Sequence, residues 1–560
     1  MKFSQIPYKR PSFEEMESTL NGLLERFKNA SSVDEAVGVY KEYDDYTNDI
    51  DDTATIAFIR NSMDTNDEFY DGEVEYWDET EPMLEEIMQE FTKALLTSKY
   101  RAELEEKWGS LLFVNAEIDL KTFNSEIVSD LQEENALSTK YDKLKASAQI
   151  EFDGKTLTLE EFQPYFENPD RNIRKAAQAA HDEWFLSNSD KLEDIFDKMV
   201  KVRTTIAEKL GYENFVELGY YRMTRNCYDK DMVAKFREGV LKHIVPIVVK
   251  LKKQQANRIG VETIKPYDQD FFYPDGNAKP VGTEDDTVNH GRKMYHELSN
   301  ETRELIDFML ENELFDILTR PGKSSGGYCS MMPKIKYPFI FANFNGTSGD
   351  VDVFTHEVGH ALAFYTAKDI FPTAMQYAPE ETSEIHSMAM EFFTWPWMEG
   401  FFGDKTERYY DSHLSGALTF LPYGVMVDEF QHLIYENPDM TPKERNECWA
   451  RLEAKYRPWL DMKEVPFYSD GRRWQRQLHI YTDPFYYIDY CLAGIIALCF
   501  WAEIQKDSKL AWEKYMRLLS FAGTKTFVEI IKDVGLPTPF EPDNIKAIAD
   551  IATAWLNSKG

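Results

Sequence analysis

Two histidines and a glutamate stand in the order His356-Glu357-x-x-His360, inside the string THEVGHALAF. Residues four positions apart lie on one face of a helix, so the two imidazoles can converge on one metal ion. The glutamate between them can reach a water bound to that metal. Catalytic zinc sites use three protein ligands and an open position, so this pattern predicts a zinc site that needs one more ligand. Two unrelated histidines on a surface helix are the weaker alternative.

Candidates for the third ligand lie downstream, in the segment PEETSEIHSMAMEFFTW. Glu380, Glu384 and Glu391 follow one another at steps of four and seven residues, which places them on one face of a second helix. Spacing alone does not choose among these three, and it does not exclude Glu381. For any single glutamate here, a solvated helix face is the ordinary alternative.

The string THEVGHALAF, followed by Glu384-x-x-Ser387-x-x-x-Glu391, resembles the thimet oligopeptidase and oligoendopeptidase F family of zinc metallopeptidases. In that family the first glutamate of the second motif binds zinc, so the resemblance implies Glu384 as the third ligand. Glu391 would then accept a hydrogen bond from a ligand histidine and orient it, as carboxylates behind metal ligands commonly do. Asp352, four residues before His356, is a weaker candidate for the same role, with helix capping as the equal alternative.

Two further regions carry the resemblance, which is to the oligoendopeptidase F branch with its Pz-peptidase-like members. AEKLGYENFVELGYYRMTRNCYD (207–229) is similar to the segment that opens the branch's catalytic region, and HIYTDPFYYIDYCLAG (479–494) is similar to its substrate-binding segment. The resemblance thus spans roughly residues 207–494. It implies a mainly α, two-lobed zincin-like metallopeptidase with a small β-sheet beside the HExxH helix and a deep substrate channel.

The chemistry that these residues can perform is peptide hydrolysis. A zinc ion lowers the pKa of its water to about 7, and Glu357 can take the proton as general base. Donors of a hydrogen bond to the developing oxyanion are expected in the cluster His479, Tyr481, Tyr486, Tyr487 and Tyr490, and the resemblance implies a histidine and tyrosines in this role. We favour His479, Tyr486 and Tyr490, because the four-residue step places both tyrosines on one helical face. Which tyrosine meets the oxyanion stays open, and core packing is the ordinary alternative for each.

A mostly helical chain must position these residues. Apolar residues at three- and four-residue intervals predict helices from about Ser12 to Ala207 and again through most of the chain after residue 350. QIEFDGKTLTLEEF (149–162) predicts a small β-hairpin, since Asp-Gly lies between alternating apolar residues. Residues 267–286 predict a long loop.

The segment before the metal motif predicts strands and turns. PFIFANF (338–344) is expected to form a strand that pairs with the extended substrate. The following helix is predicted to begin near Asp350 or Asp352, either of which could cap it. Gly326, Gly327 and Tyr328 predict an ordinary turn, with a mobile lip as the alternative. The other histidines are predicted to be bystanders: His181, His243, His290, His296, His386, His413 and His432.

The length of 560 residues favours at least two domains, which we place at 1–190 (amino-terminal helical lobe) and 191–560 (catalytic zinc metallopeptidase domain). Lys and Arg total 63 against 98 Asp and Glu, and this negative surplus disfavours binding to nucleic acids or anionic membranes. Five scattered cysteines fit a reducing compartment, and the first residues lack the apolar run of a signal peptide. The most apolar stretch, residues 491–504, is short for a membrane span and predicts a core helix. We therefore expect a cytoplasmic protein.

The sequence thus predicts a metalloendopeptidase with one zinc ion per chain that cleaves internal bonds of short oligopeptides. Its partners would be peptide substrates, without nucleic acid or membrane, and its oligomeric state stays open. One alternative is a carboxypeptidase on the same scaffold. Another is a non-catalytic zinc-containing peptide-binding protein, which Glu357 argues against, because structural zinc sites close with a fourth protein ligand and need no base.

Overall fold

A computed structural model describes residues 1–559 and shows a predominantly helical chain, which confirms the predicted fold class. Within this part of the chain the α-helices are α1 Phe13–Lys28, α2 Val33–Met63, α3 Glu68–Leu96, α4 Arg101–Trp108, α5 Ser110–Asp119, α6 Val128–Ala146, α7 Gln163–Phe166, α8 Arg171–Lys209, α9 Phe215–Arg222, α10 Lys230–His243, α11 Val245–Ile259, α12 Glu284–Leu298, α13 Asn300–Glu311, α14 Gly349–Ala367, α15 Glu380–Phe393, α16 Met398–Phe402, α17 Thr406–Glu436, α18 Pro442–Tyr456, α19 Pro466–Ser469, α20 Leu478–Thr482, α21 Tyr487–Ile504, α22 Ser508–Phe521, α23 Phe527–Asp533 and α24 Pro542–Lys559. The strands are β1 Ile150–Phe152, β2 Lys155–Leu157, β3 Phe315–Leu318, β4 Tyr328–Met332 and β5 Tyr337–Phe344.

Side chains before the helices satisfy backbone N–H groups that no helical carbonyl can reach. Ser12 caps α1 by accepting a hydrogen bond from the N–H of Glu15, and Thr441 forms a reciprocal capping box with Glu444 at α18. Asp170 caps α8, a helix of 39 residues. Residue 190 lies inside α8, and the domain boundary that we place there stays a prediction.

The predicted hairpin is confirmed, since β1 pairs antiparallel with β2. Asp153 and Gly154 connect the two strands and both have positive φ, of 51° and 72°. Two such residues in succession make the tight turn that Asp-Gly favours, because its twist matches that of the flanking strands.

The second sheet has the order β3-β5-β4, with β5 parallel to β3 and antiparallel to β4. The strand predicted from PFIFANF is therefore present as β5, but its expected role was wrong. Both edges of β5 are occupied by neighbouring strands, so it has no free edge for a substrate. The two edge strands are β3 and β4, and β4 begins at Tyr328, directly after Gly326 and Gly327.

Helix α14 lies on this sheet and also packs against α15. The two helices approach closely at Gly359, where an added Cβ would lie 2.5 Å from the carbonyl oxygen of His386. Only glycine permits that approach. The predicted caps were wrong: α14 begins at Gly349, and its preceding residue makes no side-chain cap. Asp350 instead accepts hydrogen bonds from the N–H groups of Asn345 and Gly346, both 2.8 Å, and closes the preceding loop.

Helix α21 packs against α15, α17 and α22 in the largest apolar core. Of the described helices, α21 alone has the length and apolar composition of a membrane-crossing helix, and 83% of it is buried inside the structure. A core helix of a folded protein has the same composition when it is surrounded on all sides. This burial agrees with the expected core helix.

Arg203 of α8 ties three helices together near the segment that carries His479. The fully buried guanidinium donates to Glu134 of α6 at 2.6 Å and to the hydroxyl of Tyr435 of α17 at 2.8 Å. It also donates to the carbonyl oxygen of Tyr481 in α20, at 2.5 Å. The buried ion pair with Glu134 holds the guanidinium in place. Its hydrogen bond to Tyr481 therefore fixes α20 against the helices behind it.

Candidate metal centre and active site

Helices α14 and α15 bring His356, His360 and Glu384 together. One ligand atom from each of these residues lies within 4.8 Å of the other two. The Glu384 Oε2 atom is 3.3 Å from His356 Nε2 and 3.6 Å from His360 Nε2. Two imidazole nitrogens and one carboxylate are a donor set that suits zinc and leaves room for a water ligand. The residues present therefore fit the predicted metal.

Electrostatics favour a cation at this point. Burial lowers the pKa of His360 to about 4, so its imidazole is neutral at pH 7. Burial also opposes a charge on His356, but hydrogen bonds with Glu384 and Glu391 raise its pKa well above the usual value. Burial alone would raise the pKa of Glu384, but the two imidazoles outweigh it and hold the pKa at about 2. The centre is thus built around a buried carboxylate anion that attracts positive charge.

The other candidate carboxylates do not lie between the two imidazoles. Glu381 accepts a hydrogen bond from Tyr228 and lies near Arg225, and it is not among the residues that line the cavity beside the histidines. Glu380 lines the cavity beside the metal ligands but forms no ion pair within the described chain. The structure thus places Glu384, rather than its neighbours, between the imidazoles. Ser387 supports it by donating to its Oε2 at 3.0 Å.

Glu391 lies behind the metal ligands. Its Oε1 is 2.7 Å from Nδ1 of His356, so it accepts a hydrogen bond there and directs Nε2 toward Glu384. Its Oε2 is 2.8 Å from Nε2 of His413. His413, predicted to be a bystander, is therefore part of the site's support, and that prediction was wrong. Asp352 lies 3.9 Å from His413 and accepts a hydrogen bond from Tyr409 at 2.7 Å.

Replacing Glu391 by glutamine is expected to weaken zinc binding by about 10–100-fold, because a neutral amide orients and polarises His356 less than a carboxylate does. Competition with a chelator of known affinity measures the change. The control is Glu399→Gln, at an exposed glutamate of α16, which should leave zinc affinity unchanged. Equal affinity in the Glu391→Gln variant and the original protein would show that this contact does not support the ligand.

Glu357 faces the catalytic cavity, the space of about 300 Å³ that is lined by the metal ligands together with Gly327, Tyr328, Tyr486 and Tyr490. Its Oε2 is buried and has no hydrogen-bond partner within the described chain. Buried polar atoms without partners are rare and call for an explanation such as an unseen water. Burial raises the pKa of Glu357 to about 7, which suits a group that must accept and return a proton near neutral pH.

Tyr486 and Tyr490, at the start of α21, line the same cavity, and His479 of α20 packs beside both rings. Nε2 of His479 is 3.2 Å from the hydroxyl of Tyr490, and the rings of the two tyrosines lie 5.2 Å apart. Tyr486 donates a hydrogen bond to Oε1 of Glu384. Tyr486 thus contacts the metal ligand Glu384, whereas Tyr490 contacts His479.

Sequence reasoning missed Gln477, which orients His479. The hydroxyl of Tyr423 donates to Gln477 Oε1 at 2.7 Å, and Gln477 Nε2 lies 3.0 Å from Nδ1 of His479. An amide nitrogen can only donate, so Nδ1 accepts and the ring proton resides on Nε2. That N–H then donates to the oxygen of Tyr490 and leaves the tyrosine's own O–H free to point into the catalytic cavity. The only sequence signal was its position two residues before His479.

The fold and the HExxH helix define this chain as a mainly α, zincin-like protein. It belongs to peptidase family M3, because the model of that family matches residues 165–550 and the model of the peptidase M3 N-terminal domain matches residues 3–123. The resemblance found in the sequence is thereby confirmed.

Individual relatives agree with this assignment. The solved structure of Pz peptidase A with an inhibitor is 47% identical, with a TM-score of 0.98, over 100% of this chain and 99% of that one. An oligoendopeptidase F homolog of Mycoplasma genitalium is 21% identical over 420 residues, which are 69% of this chain and 66% of that protein. The oligoendopeptidase F of Lactococcus lactis subsp. cremoris is 21% identical over 391 residues, covering 68% of this chain and 62% of that protein. The chain thus spans slightly less than two thirds of these curated relatives.

Proposed function

We propose that this chain is a zinc-dependent endopeptidase that hydrolyses internal peptide bonds of short oligopeptides. One observation carries the proposal: three ligand atoms of His356, His360 and Glu384 meet within 4.8 Å, beside the unpartnered carboxylate of Glu357. A purely structural zinc site would leave no use for a buried base at this position.

Zinc would be held by the two imidazoles and Glu384. When bound, it supplies Lewis acidity, which acidifies a water and polarises the peptide carbonyl. Glu357 accepts the proton of the attacking water and returns it to the leaving amine, because its carboxylate faces the cavity without another partner. Glu391 keeps the neighbouring imidazole oriented throughout.

Tyr490 is the proposed donor to the oxyanion that forms on the substrate carbonyl. Its hydroxyl lies against His479, whose N–H satisfies the phenolic oxygen. Tyr486 donates its hydroxyl hydrogen to Glu384, so its main role is to support that metal ligand. A neutral donor aimed at the developing charge stabilises it without any reorganisation during the reaction.

The peptide is proposed to extend along the free edge of β4, from Tyr328 to Met332. Backbone hydrogen bonds along a strand edge hold a substrate of any sequence, and they require that the bound segment be extended. The catalytic cavity adjoins a second space of about 560 Å³, to which Gly327 contributes as well. Spaces of this size favour short flexible peptides over folded proteins.

Mass spectrometry of peptide digests tests the proposal. Cleavage at internal bonds is expected, together with loss of activity in a chelator and recovery on addition of zinc. Products that shorten one residue at a time from the carboxyl end would favour the carboxypeptidase alternative. Binding of peptides by the zinc-loaded protein without any cleavage would favour the non-catalytic one.

Location in the cytoplasm is a further proposal. It is supported by five cysteines that are all unpaired thiols, which is typical of a reducing compartment. Fractionation of the producing cells, with an assay for the peptidase in each fraction, tests it.

A further inference from the structure

A third space, a cavity of about 340 Å³, lies next to the 560 Å³ space that adjoins the catalytic cavity. We name it the basic cavity, because four cationic side chains line it: Lys252, Arg457, Arg473 and Arg476. Phe420 and Asp270 line both this cavity and the adjoining space, so the two are neighbours. In a chain with a net charge of −35, four cations around one cavity run against the general composition.

The carboxylates of the protein do not neutralise these four cations. Arg457 pairs with Glu453 at 3.0 Å, and the same carboxylate is 3.8 Å from Arg473. Nε and Nη1 of Arg473 are buried without a hydrogen-bond partner. Arg476 forms no ion pair with any described residue. The lining of the cavity thus holds four cations and one carboxylate, the exposed Asp270, while Glu453 pairs with Arg457 from outside the lining.

Lys252 shows the same imbalance. It is 6% exposed, and its Nζ donates to Oε1 of Gln255 at 2.9 Å and to the carbonyl oxygen of Gln269 at 3.4 Å, neither of which is charged. Burial lowers its pKa to about 8, and the nearby Arg457 lowers it further while Asp270 opposes the shift. A buried ammonium without an anionic partner is costly. An anion in the cavity would remove that cost.

The basic cavity shares an aromatic wall with the catalytic donors. Phe420 packs edge-on against Tyr490, with ring centroids 6.2 Å apart. Tyr423, which lines the basic cavity, lies under the guanidinium of Arg473 at 4.5 Å and donates to Gln477, the residue that orients His479. A peptide that reaches from the catalytic cavity along this wall would meet the four cations.

We propose that the basic cavity binds a carboxylate of the peptide substrate, either its carboxyl terminus or an acidic side chain. Guanidinium groups bind carboxylates through paired, charge-assisted hydrogen bonds, and Arg473 and Arg476 have donors left for such contacts. The inference rests on the proposed function, since it concerns which peptides that site selects. It adds a preference for negative charge at a distance from the cleaved bond.

Binding to the Glu357→Gln variant tests this inference without turnover. Three peptides of one sequence are compared by calorimetry: one with a free carboxyl terminus, one with a terminal amide, and an amide with an added glutamate near the end. At least one carboxylate peptide is expected to bind about tenfold more tightly than the plain amide. Arg476→Gln, introduced into the same background, should remove most of that difference. Arg473→Gln provides a second variant, and Arg451→Gln, at an exposed arginine of α18, is the matched control.

The pattern among the peptides identifies the source of the carboxylate. Tighter binding of the free-acid peptide assigns the cavity to the carboxyl terminus, and tighter binding of the glutamate peptide assigns it to a side chain. Equal affinity for all three peptides, or an equal loss in the Arg451→Gln control, overturns the inference. Cleavage of the amide peptide by the zinc-loaded original protein is measured separately. Its absence would contradict the proposed function whatever the affinities.

Discussion

Replacing Glu357 by glutamine is expected to lower kcat by about 10²–10⁴-fold, the usual contribution of a positioned general base. Glutamine keeps the shape of the side chain and can still hydrogen bond to water, but it cannot accept a proton at neutral pH. Because Glu357 is not among the three ligand residues, the variant should retain about one zinc ion per chain. Steady-state kinetics on a quenched peptide, with metal analysis of the same sample, measures both quantities.

The comparison with Glu399→Gln controls for the loss of one negative charge, since that glutamate is exposed on α16. Its kcat and zinc content should match those of the original protein. If Glu357→Gln loses zinc in proportion to its activity, the residue supports the metal and is not the base. Unchanged kcat with full zinc content would remove Glu357 from the mechanism altogether.

Local periodicity was enough to predict the first half of the site. The His356, Glu357 and His360 pattern lies on one helix, and the helical repeat alone fixes which side chains share a face. The same holds for Tyr486 and Tyr490, whose rings do meet. Such predictions succeed because they depend only on neighbours in the chain.

The third ligand and its support depend on tertiary packing and could not be derived in that way. Glu380, Glu381 and Glu384 all lie within one helical turn or so, and which of them faces the histidines is fixed by how α15 crosses α14 at Gly359. The family resemblance supplied the choice that spacing left open. His413 was missed because it comes from α17, although its four-residue spacing from Tyr409 was a usable signal.

The error over the substrate strand has the same origin. The run PFIFANF was recognised as a strand from its composition, but composition does not show whether a strand lies at an edge or in the centre. That depends on β3 and β4, which come from other parts of the chain. Likewise, the basic cavity draws Lys252 and Arg476 from distant segments, and no local pattern joins them.

Replacing Glu384 by alanine is expected to remove zinc from the protein and activity with it. Two imidazoles alone leave the metal with fewer than the three protein ligands that catalytic zinc sites use. In the structure Glu384 is also the carboxylate that lies between His356 and His360, at 3.3 and 3.6 Å. Metal analysis after dialysis measures the loss, and circular dichroism shows whether the helices persist.

Glu380→Ala separates the role of a ligand from that of a nearby charge. Glu380 lies one helical turn before Glu384 and lines the same cavity. Burial raises its pKa to about 7, so its removal takes part of a negative charge from the cavity at neutral pH without removing a ligand atom. That variant should keep its zinc. Tyr486→Phe should keep it too, with weaker affinity, because the tyrosine only supports Glu384 through a hydrogen bond. If Glu384→Ala retains a full complement of zinc while Glu380→Ala loses it, the two glutamates exchange roles and the assignment of the metal centre fails.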